Sequence, residues 1–242
     1  MASAKAHLPK YLRISGEIVD MIRRGELTAG SRAPSENDII QRYRVSNTTA
    51  RKALAEIEQS GWVTRIKGRG TFVQRRSVGR SADRILSFTR NMVEAGRVPS
   101  TRLLGVRLLD TSQSLVIHGR RYRLDGPVCR IERLRLADNV PMMKEIRYVS
   151  AALCPGIEQK ALEGSLYQIY EKDYGLELVQ IDQKLSVVMI EAEREMGLFE
   201  LTKPVPAFRV EGATFVGKGA ILEMEESLYR GDLYSFSVQA RR

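Results

Sequence analysis

Between Ser46 and Val73 the chain reads SNTTARKALAEIEQSGWVTRIKGRGTFV, and no other stretch restricts its fold as much. Ala50, Ala53, Leu54 and Ile57 recur at i, i+3, i+4 and i+7, the spacing of one buried helix face. Ser46 stands where an N-cap side chain accepts from the first free amides. Gly61 closes the pattern. WVTRI then alternates as a strand, Lys67-Gly68-Arg69-Gly70 is a turn, and TFV begins a second strand. A helix that passes at once into a cationic hairpin describes a small winged unit. At 100° per residue the outer helix face carries Thr48, Lys52 and Ala55, with Arg51 at its margin. Small and cationic groups there allow close approach to a major groove, with amide ends and Arg or Lys reaching phosphates and base edges. Gly68 and Gly70 let backbone amides at the wing tip come near a phosphate. The glycines do not form a nucleotide loop, because neither G-x-G-x-x-G nor G-x-x-x-x-G-K-[ST] is present.

The preceding residues complete a three-helix unit. In PKYLRISGEIVDMIRR, residues 9–24, Tyr11, Ile14, Ile18, Met21 and Ile22 mark an amphipathic helix, and Gly25 after two arginines stops it. GELTAGSRAP is a loop. Ser35 and Asp38 then match a capping box, after Pro34, and open a short helix with Ile39, Ile40 and Tyr43 inward.

Charge follows the same division. Residues 1–76 hold 15 Lys/Arg against 7 Asp/Glu, whereas residues 77–242 hold 24 against 22. A basic excess concentrated in the first third points to a polyanion, most often nucleic acid. The 242 residues suffice for about two domains. No apolar run approaches the ~20 residues of a membrane helix. The start, MASAKAHLPKYL, lacks the apolar core of a signal peptide, so a cytoplasmic chain without membrane partners is expected. Two cysteines, Cys129 and Cys154, form neither a disulfide framework nor a metal site, and no metal or other cofactor is expected.

Residues 74–84, QRRSVGRSADR, are polar and basic and read as a linker. Beyond them RLLGVRLLD, VCRIERLRLAD, PMMKEIRYVS, LVQIDQKLSVVMI, AFRVEGATFV and SLYRGDLYSFSV read as strands, with FVGKGAIL as a hairpin turn. SLYQIYEKDYG, capped by Ser165, and EAEREMGL read as helices. Arg120-Arg121-x-Arg123 reads as a solvated loop. Antiparallel strands with few helices make the class α+β. In CRIERLRLAD alternation puts Arg133 and Arg135 on one face with Ile131, and Leu134 and Leu136 on the other. Guanidiniums about 7 Å apart repel unless they are solvated or bridged by an anion. Pattern alone leaves a surface pair and an anion site both open.

Two resemblances add to this reading. Gly30 with Pro34-Ser35-Glu36, Ser46 with Thr49, Arg51, Ala53, Leu54 and Ile57, and Gly68-Arg69-Gly70-Thr71-Phe72-Val73 resemble the winged helix-turn-helix of the GntR family of bacterial transcription regulators. The likeness implies DNA contacts from Ser35, Glu36, Asn37, Ser46, Asn47, Thr48, Thr49, Arg51, Lys52, Lys67, Gly68, Arg69 and Gly70. Many members carry Arg where this chain has Asn37 and Asn47. Asn cannot make the bidentate guanine contact of Arg but pairs with adenine, so a shifted operator is expected.

Residues 85–238 resemble the UTRA effector domain of the HutC subfamily, whose fold is chorismate lyase-like. Ser87-Phe88-Thr89 with Gly96 and Pro99, Arg133-Leu134-Arg135 with Pro141 and Glu145, Ser165-Leu166-Tyr167, and Tyr229-Arg230-Gly231-Asp232 with Tyr234 and Phe236 carry the likeness. It implies an effector site in which Thr89, Arg133, Arg135, Ser165 and Tyr167 hold an anionic group, beside Ser87 and Phe88. Glu145, Glu223 and Tyr229 would face its polar body.

The expected organisation is a winged helix-turn-helix domain at 1–74, a linker at 75–84 and a UTRA domain at 85–242. The expected function is that of a homodimeric regulator, a repressor by resemblance, on a near-palindromic double-stranded DNA operator and answering to a small anionic effector such as a sugar phosphate or organic acid. The alternatives are a lyase-like enzyme tethered to DNA and a ligand-independent DNA binder. With only His7 and His118, and no nucleophile–base pair, the enzyme has the weaker case.

Overall fold

The computed structural model describes residues 8–28, 30–74, 78–81, 85, 87–217 and 219–238. The chain divides into two compact units, Met1–Arg76 with Glu191–Pro204, and Ser77–Ile190 with Val205–Arg242.

The first unit opens with α1 (Lys10–Arg23), which buries Ile14, Ile18 and Ile22 and stops where Gly25 turns to φ 74°. In α2 (Glu36–Tyr43) the capping box is complete. Ser35 Oγ accepts from the Asp38 amide at 3.2 Å, and Asp38 Oδ2 accepts from the Ser35 amide at 2.8 Å. The Ser35 amide, and then the Ser35 hydroxyl donating to the same oxygen at 2.7 Å, hold the exposed Asp38 carboxyl below its ordinary value. Arg44, at φ 48°, turns the chain into α3 (Asn47–Gln59). Ser46 Oγ accepts from the Thr49 amide at 3.3 Å and meets Thr49 Oγ1 at 3.0 Å. Ala50, Ala53, Leu54 and Ile57 are all buried, in the inward order their spacing predicts. The wing follows as β1 (Val63–Ile66) paired antiparallel with β2 (Gly70–Val73).

The second unit begins with β3 (Val78–Ser81), inside the stretch expected as linker, and α4 (Phe88–Glu94), capped by Ser87. Its further elements are β4 (Pro99–Leu109), β5 (Gln113–Ile117), β6 (Arg120–Leu124), β7 (Val128–Ala137), β8 (Val140–Ser150) and α5 (Leu166–Asp173). The chain then forms β9 (Leu178–Ile190), β10 (Val205–Val216), β11 (Ala220–Arg230) and β12 (Tyr234–Ser237). Six strands form one antiparallel sheet in the order β4-β7-β8-β11-β10-β9. On one face Cys129, Ile131 and Val149 pack with Leu166 and Tyr170 of α5. On the other, Val128 and Tyr148 pack with Ile117, Tyr122 and Leu124 of the β5–β6 hairpin. The core Cys129 and Cys154 are unpaired, and burial pushes their thiols up to about 11 and about 12, so both stay protonated.

Two expectations change. The arginine cluster at 120–123 lies on strand β6, not in a loop, because Tyr122 and Leu124 point inward while Arg120 stacks on the Tyr122 ring at 5.2 Å. The segment SLYRGDLYSFSV is two strands rather than one. The Gly231 amide donates to the Pro206 carbonyl at 2.8 Å, where a Cβ would collide with that same oxygen, and β12 turns away to pair in parallel with β3.

Between β9 and β10 lies α6 (Glu193–Leu198) in the segment that groups with the first unit. The Thr202 amide and hydroxyl donate to the Arg24 carbonyl at 3.2 and 3.4 Å. Lys203 Nζ donates to the Glu26 carbonyl at 3.2 Å. These are the open carbonyls just past the end of α1.

Candidate nucleic-acid interface and effector pocket

In the first unit Asn47, Thr48, Arg51 and Lys52 stand exposed on α3, and Lys67, Gly68 and Arg69 stand exposed at the wing tip. Ser35 and Ser46 are the caps that aim the starts of α2 and α3, and Thr49 is half-buried beneath Ser46. Asn37 is exposed on the first turn of α2. Glu36 joins the three elements: its Oε1 lies 3.3 Å from Arg65 Nη2 on the wing and 3.9 Å from Arg51 Nε on α3. A concave surface collects Ser35, Asn37, Arg65, Lys67 and Gly70 with Arg32. Arg32 and Arg65 were missed in the sequence. Arg32 lies so close to Gly70 that a Cβ there would meet its Nε at 3.0 Å, and Gly70 itself is at φ 116°. Arg65 lies on β1, where alternation would set it on the face of buried Val63, so the strand pattern carried no signal for it.

In the second unit strand register brings the predicted effector residues together. Arg133, Glu145 and Ser227 lie side by side across β7, β8 and β11. Arg135, Met143 and Tyr229 form the next row, and Ile131, Arg147 and Glu225 the one after on the other side. Because β7 is internal and α5 covers this face, Arg133 and Arg135 are 2% and 3% exposed, which excludes a surface pair. Arg133 Nη1 donates to the carbonyls of Leu162 and Gly164 at 2.8 and 2.9 Å. Arg135 Nη2 donates to Thr89 Oγ1 at 2.8 Å, and its guanidinium stacks on Phe88 at 4.8 Å. Burial, and then the charge of Arg133, bring Arg135 down to about 10.

A small, partly open cavity is lined by Ser87, Phe88, Arg133, Arg135, Glu145, Ser165, Tyr167 and Tyr229 of the predicted set, with Met143, Arg147 and Leu166 in addition. Thr89 reaches it through Arg135. Glu223 does not line it. That carboxylate lies behind Arg147, with Oε1 2.7 Å from Arg147 Nη1 and Oε2 accepting from the Tyr170 hydroxyl at 2.6 Å. Arg147 also meets Glu145 Oε2 at 3.0 Å and Glu225 Oε2 at 2.5 Å. Burial raises the Glu145 carboxyl, yet Arg133, Arg147 and Arg135 together hold it well below its ordinary value. Arg133 Nε and Arg135 Nε, both buried, have no acceptor among the described residues. Two fixed cations with donors to spare, beside the Ser165-capped start of α5, can hold an oxyanion.

Comparison with known proteins yields two family matches. Residues 94–235 match the UTRA domain, and residues 10–73 match the bacterial regulatory proteins of the gntR family. The HTH-type transcriptional repressor NagR of Bacillus subtilis (strain 168) is 28% identical over 230 residues, covering 95% of this chain and 93% of that protein. The mannosyl-D-glycerate transport/metabolism system repressor MngR of Escherichia coli (strain K12) is 23% identical over 247 residues, covering 98% of each. Among solved structures, PhnF from Mycobacterium smegmatis shares the fold with a TM-score of 0.61 at 22% identity, covering 94% of this chain and 99% of PhnF. Among the described residues no helix is long and apolar enough to cross a membrane.

Proposed function

This chain belongs to the GntR family of DNA-binding transcription regulators, in the arrangement with a UTRA domain, and from that premise we propose that it is a repressor released or engaged by a small anionic effector bound between Arg133 and Arg135. The observation that carries the reading is this pair of buried guanidiniums on a small cavity, each with an Nε lacking an acceptor among the described residues. A buried charge cluster costs stability unless every donor is met, so donors left over mark a place for a ligand. The relatives' names, among them a mannosyl-D-glycerate system repressor, support a sugar-derived effector such as a sugar phosphate, with an organic acid as the other class.

As a homodimer the protein would set two α3 helices into successive major grooves of a near-palindromic operator. Effector binding shifts the equilibrium only by binding the two arrangements of the heads unequally. Thermal shift with phosphorylated sugars, organic acids and phosphonates, paired with a gel shift on DNA upstream of the gene, tests the reading. The effector is expected to raise Tm without turnover and to alter the shift of a complex holding two chains per operator. Arg133→Ala should abolish both responses and leave effector-free operator binding intact. An Arg133→Ala protein that responds like the wild type would place the site elsewhere.

Operator preference is a separate proposal. Asn37 and Asn47, exposed at the starts of α2 and α3, present amides suited to adenine where many relatives present arginine. Selection from random DNA should return half-sites richer in adenine than the guanine-reading family pattern. Asn47→Arg should move selection back toward guanine. Recovery of identical sites by both proteins would remove Asn47 from the readout.

A further inference from the structure

The space between Arg133 and Arg135 already holds a carboxylate, and it is the protein's own. Glu145 Oε1 lies 2.5 Å from Arg133 Nη2 and 3.3 Å from Arg135 Nη1. Its second oxygen, Oε2, lies 3.0 Å from Arg147 Nε, so Glu145 has a foothold on each side. The residue is 2% exposed and lines the same cavity as both arginines. It comes from β8, directly across the register from Arg133, so it reaches that place with no rearrangement of the backbone. Yet one carboxylate cannot satisfy the pair. Its two oxygens leave the Nε donors of Arg133 and Arg135 without an acceptor.

Resting on the effector reading above, we propose that Glu145 is a built-in competitor for the anion site. An effector displaces it from Arg133 and Arg135, and Glu145 then leans on Arg147 alone. This exchange sets the affinity an effector must reach before it can enter. A monocarboxylate that enters replaces one singly charged carboxylate by another of like shape, so the exchange itself gains little. A tetrahedral dianion, phosphoryl or phosphonyl, brings a second charge and three terminal oxygens. The third oxygen gives an acceptor to Nε donors that Glu145 leaves unmet. Glu145 thereby sets a threshold, equal for every anion, that the stronger hold of the arginines on a doubly charged oxyanion clears and their hold on a monocarboxylate does not. A role limited to hydrogen-bonding the effector's hydroxyls predicts no change in inorganic-anion affinity on substitution, because inorganic anions have no such body to hold.

The test uses inorganic phosphate, sulfate and acetate as probes, titrated calorimetrically into the full chain at constant ionic strength. Wild type is expected to bind phosphate and sulfate at least tenfold more tightly than acetate. Glu145→Gln should tighten acetate and phosphate alike, about tenfold or more, and leave the phosphate-to-acetate ratio near its wild-type value. Glu145→Asp keeps the charge and withdraws it by one methylene. It should shift acetate in the same direction by a smaller factor, and it serves if the glutamine variant does not fold. Anion affinity that is unchanged or weakened in the folded variants overturns the competitor. Failure of the pocket itself has a different signature: phosphate binding equal in wild type and Arg133→Ala.

Discussion

Replacing Arg147 by Met is expected to destabilise the second unit by about 3–5 kcal/mol near pH 8, the usual cost of removing one partner from a buried ion cluster. Met keeps most of the side-chain volume, so the loss reports charge rather than a cavity. Arg147 is 6% exposed and is the cation shared by Glu145, Glu223 and Glu225. Even with Arg147 in place, burial pushes the Glu223 carboxyl above its ordinary 4.5. Arg147 and the Tyr170 hydroxyl oppose that rise, whereas Glu225 and Glu145 add to it. Without Arg147 the folded-state value climbs further. A carboxyl whose folded value exceeds its unfolded one binds protons more readily when folded. Stability is therefore kept at low pH and lost as pH rises through the folded value. The penalty should be smaller at pH 5 than at pH 8, read from urea unfolding at both. Glu223→Gln on the Arg147→Met background should restore part of it. A penalty below about 1 kcal/mol at both pH values would show that the carboxylates do not depend on this guanidinium.

Arg51→Ala is expected to act on DNA and leave folding untouched. Its side chain is 67% exposed, and its nearest carboxylate oxygen, on Glu36, is 3.9 Å away. An exposed pair of that kind contributes little, so stability should change by no more than about 0.5 kcal/mol. A guanidinium that reads a base edge is worth about 1–3 kcal/mol at each half-site, or roughly 2–6 kcal/mol over a two-half-site operator. Gel shifts at fixed salt on operator and on unrelated DNA check it. A larger loss on the operator marks base reading, and an equal loss on both, with a shallower salt slope, marks a phosphate contact. Operator affinity within threefold of wild type would take Arg51 out of the interface.

The head was legible because its signals are local. Ser35 and Asp38 sit three residues apart, and the Ala50 to Ile57 stripe needs only the helical period. The pocket was legible only in part. Alternation on β7 puts Arg133 and Arg135 on one face, but it says nothing of what lies opposite. Glu145 stands across a hairpin from Arg133, and Glu225 pairs with Arg147 from far along the chain. Arg147 thus looked like one more arginine in a strand until register set it among three carboxylates. Likewise the arginines of β6 masked an inward Tyr122 and Leu124, because short strands with charged outer faces resemble loops in composition.

The segment from Glu191 to Pro204 has a practical consequence for dissecting the molecule. It meets the carbonyls past α1 through Thr202 and Lys203, yet it is spliced between two strands of the effector sheet. A fragment ending at Arg76 would leave the Arg24 and Glu26 carbonyls to water. A chimaera that exchanges heads between relatives at the 75–84 stretch would graft one half of a matched surface onto a foreign other half. Faithful transplantation of the head is a two-cassette operation, with residues up to 76 and residues 191–204 moved together.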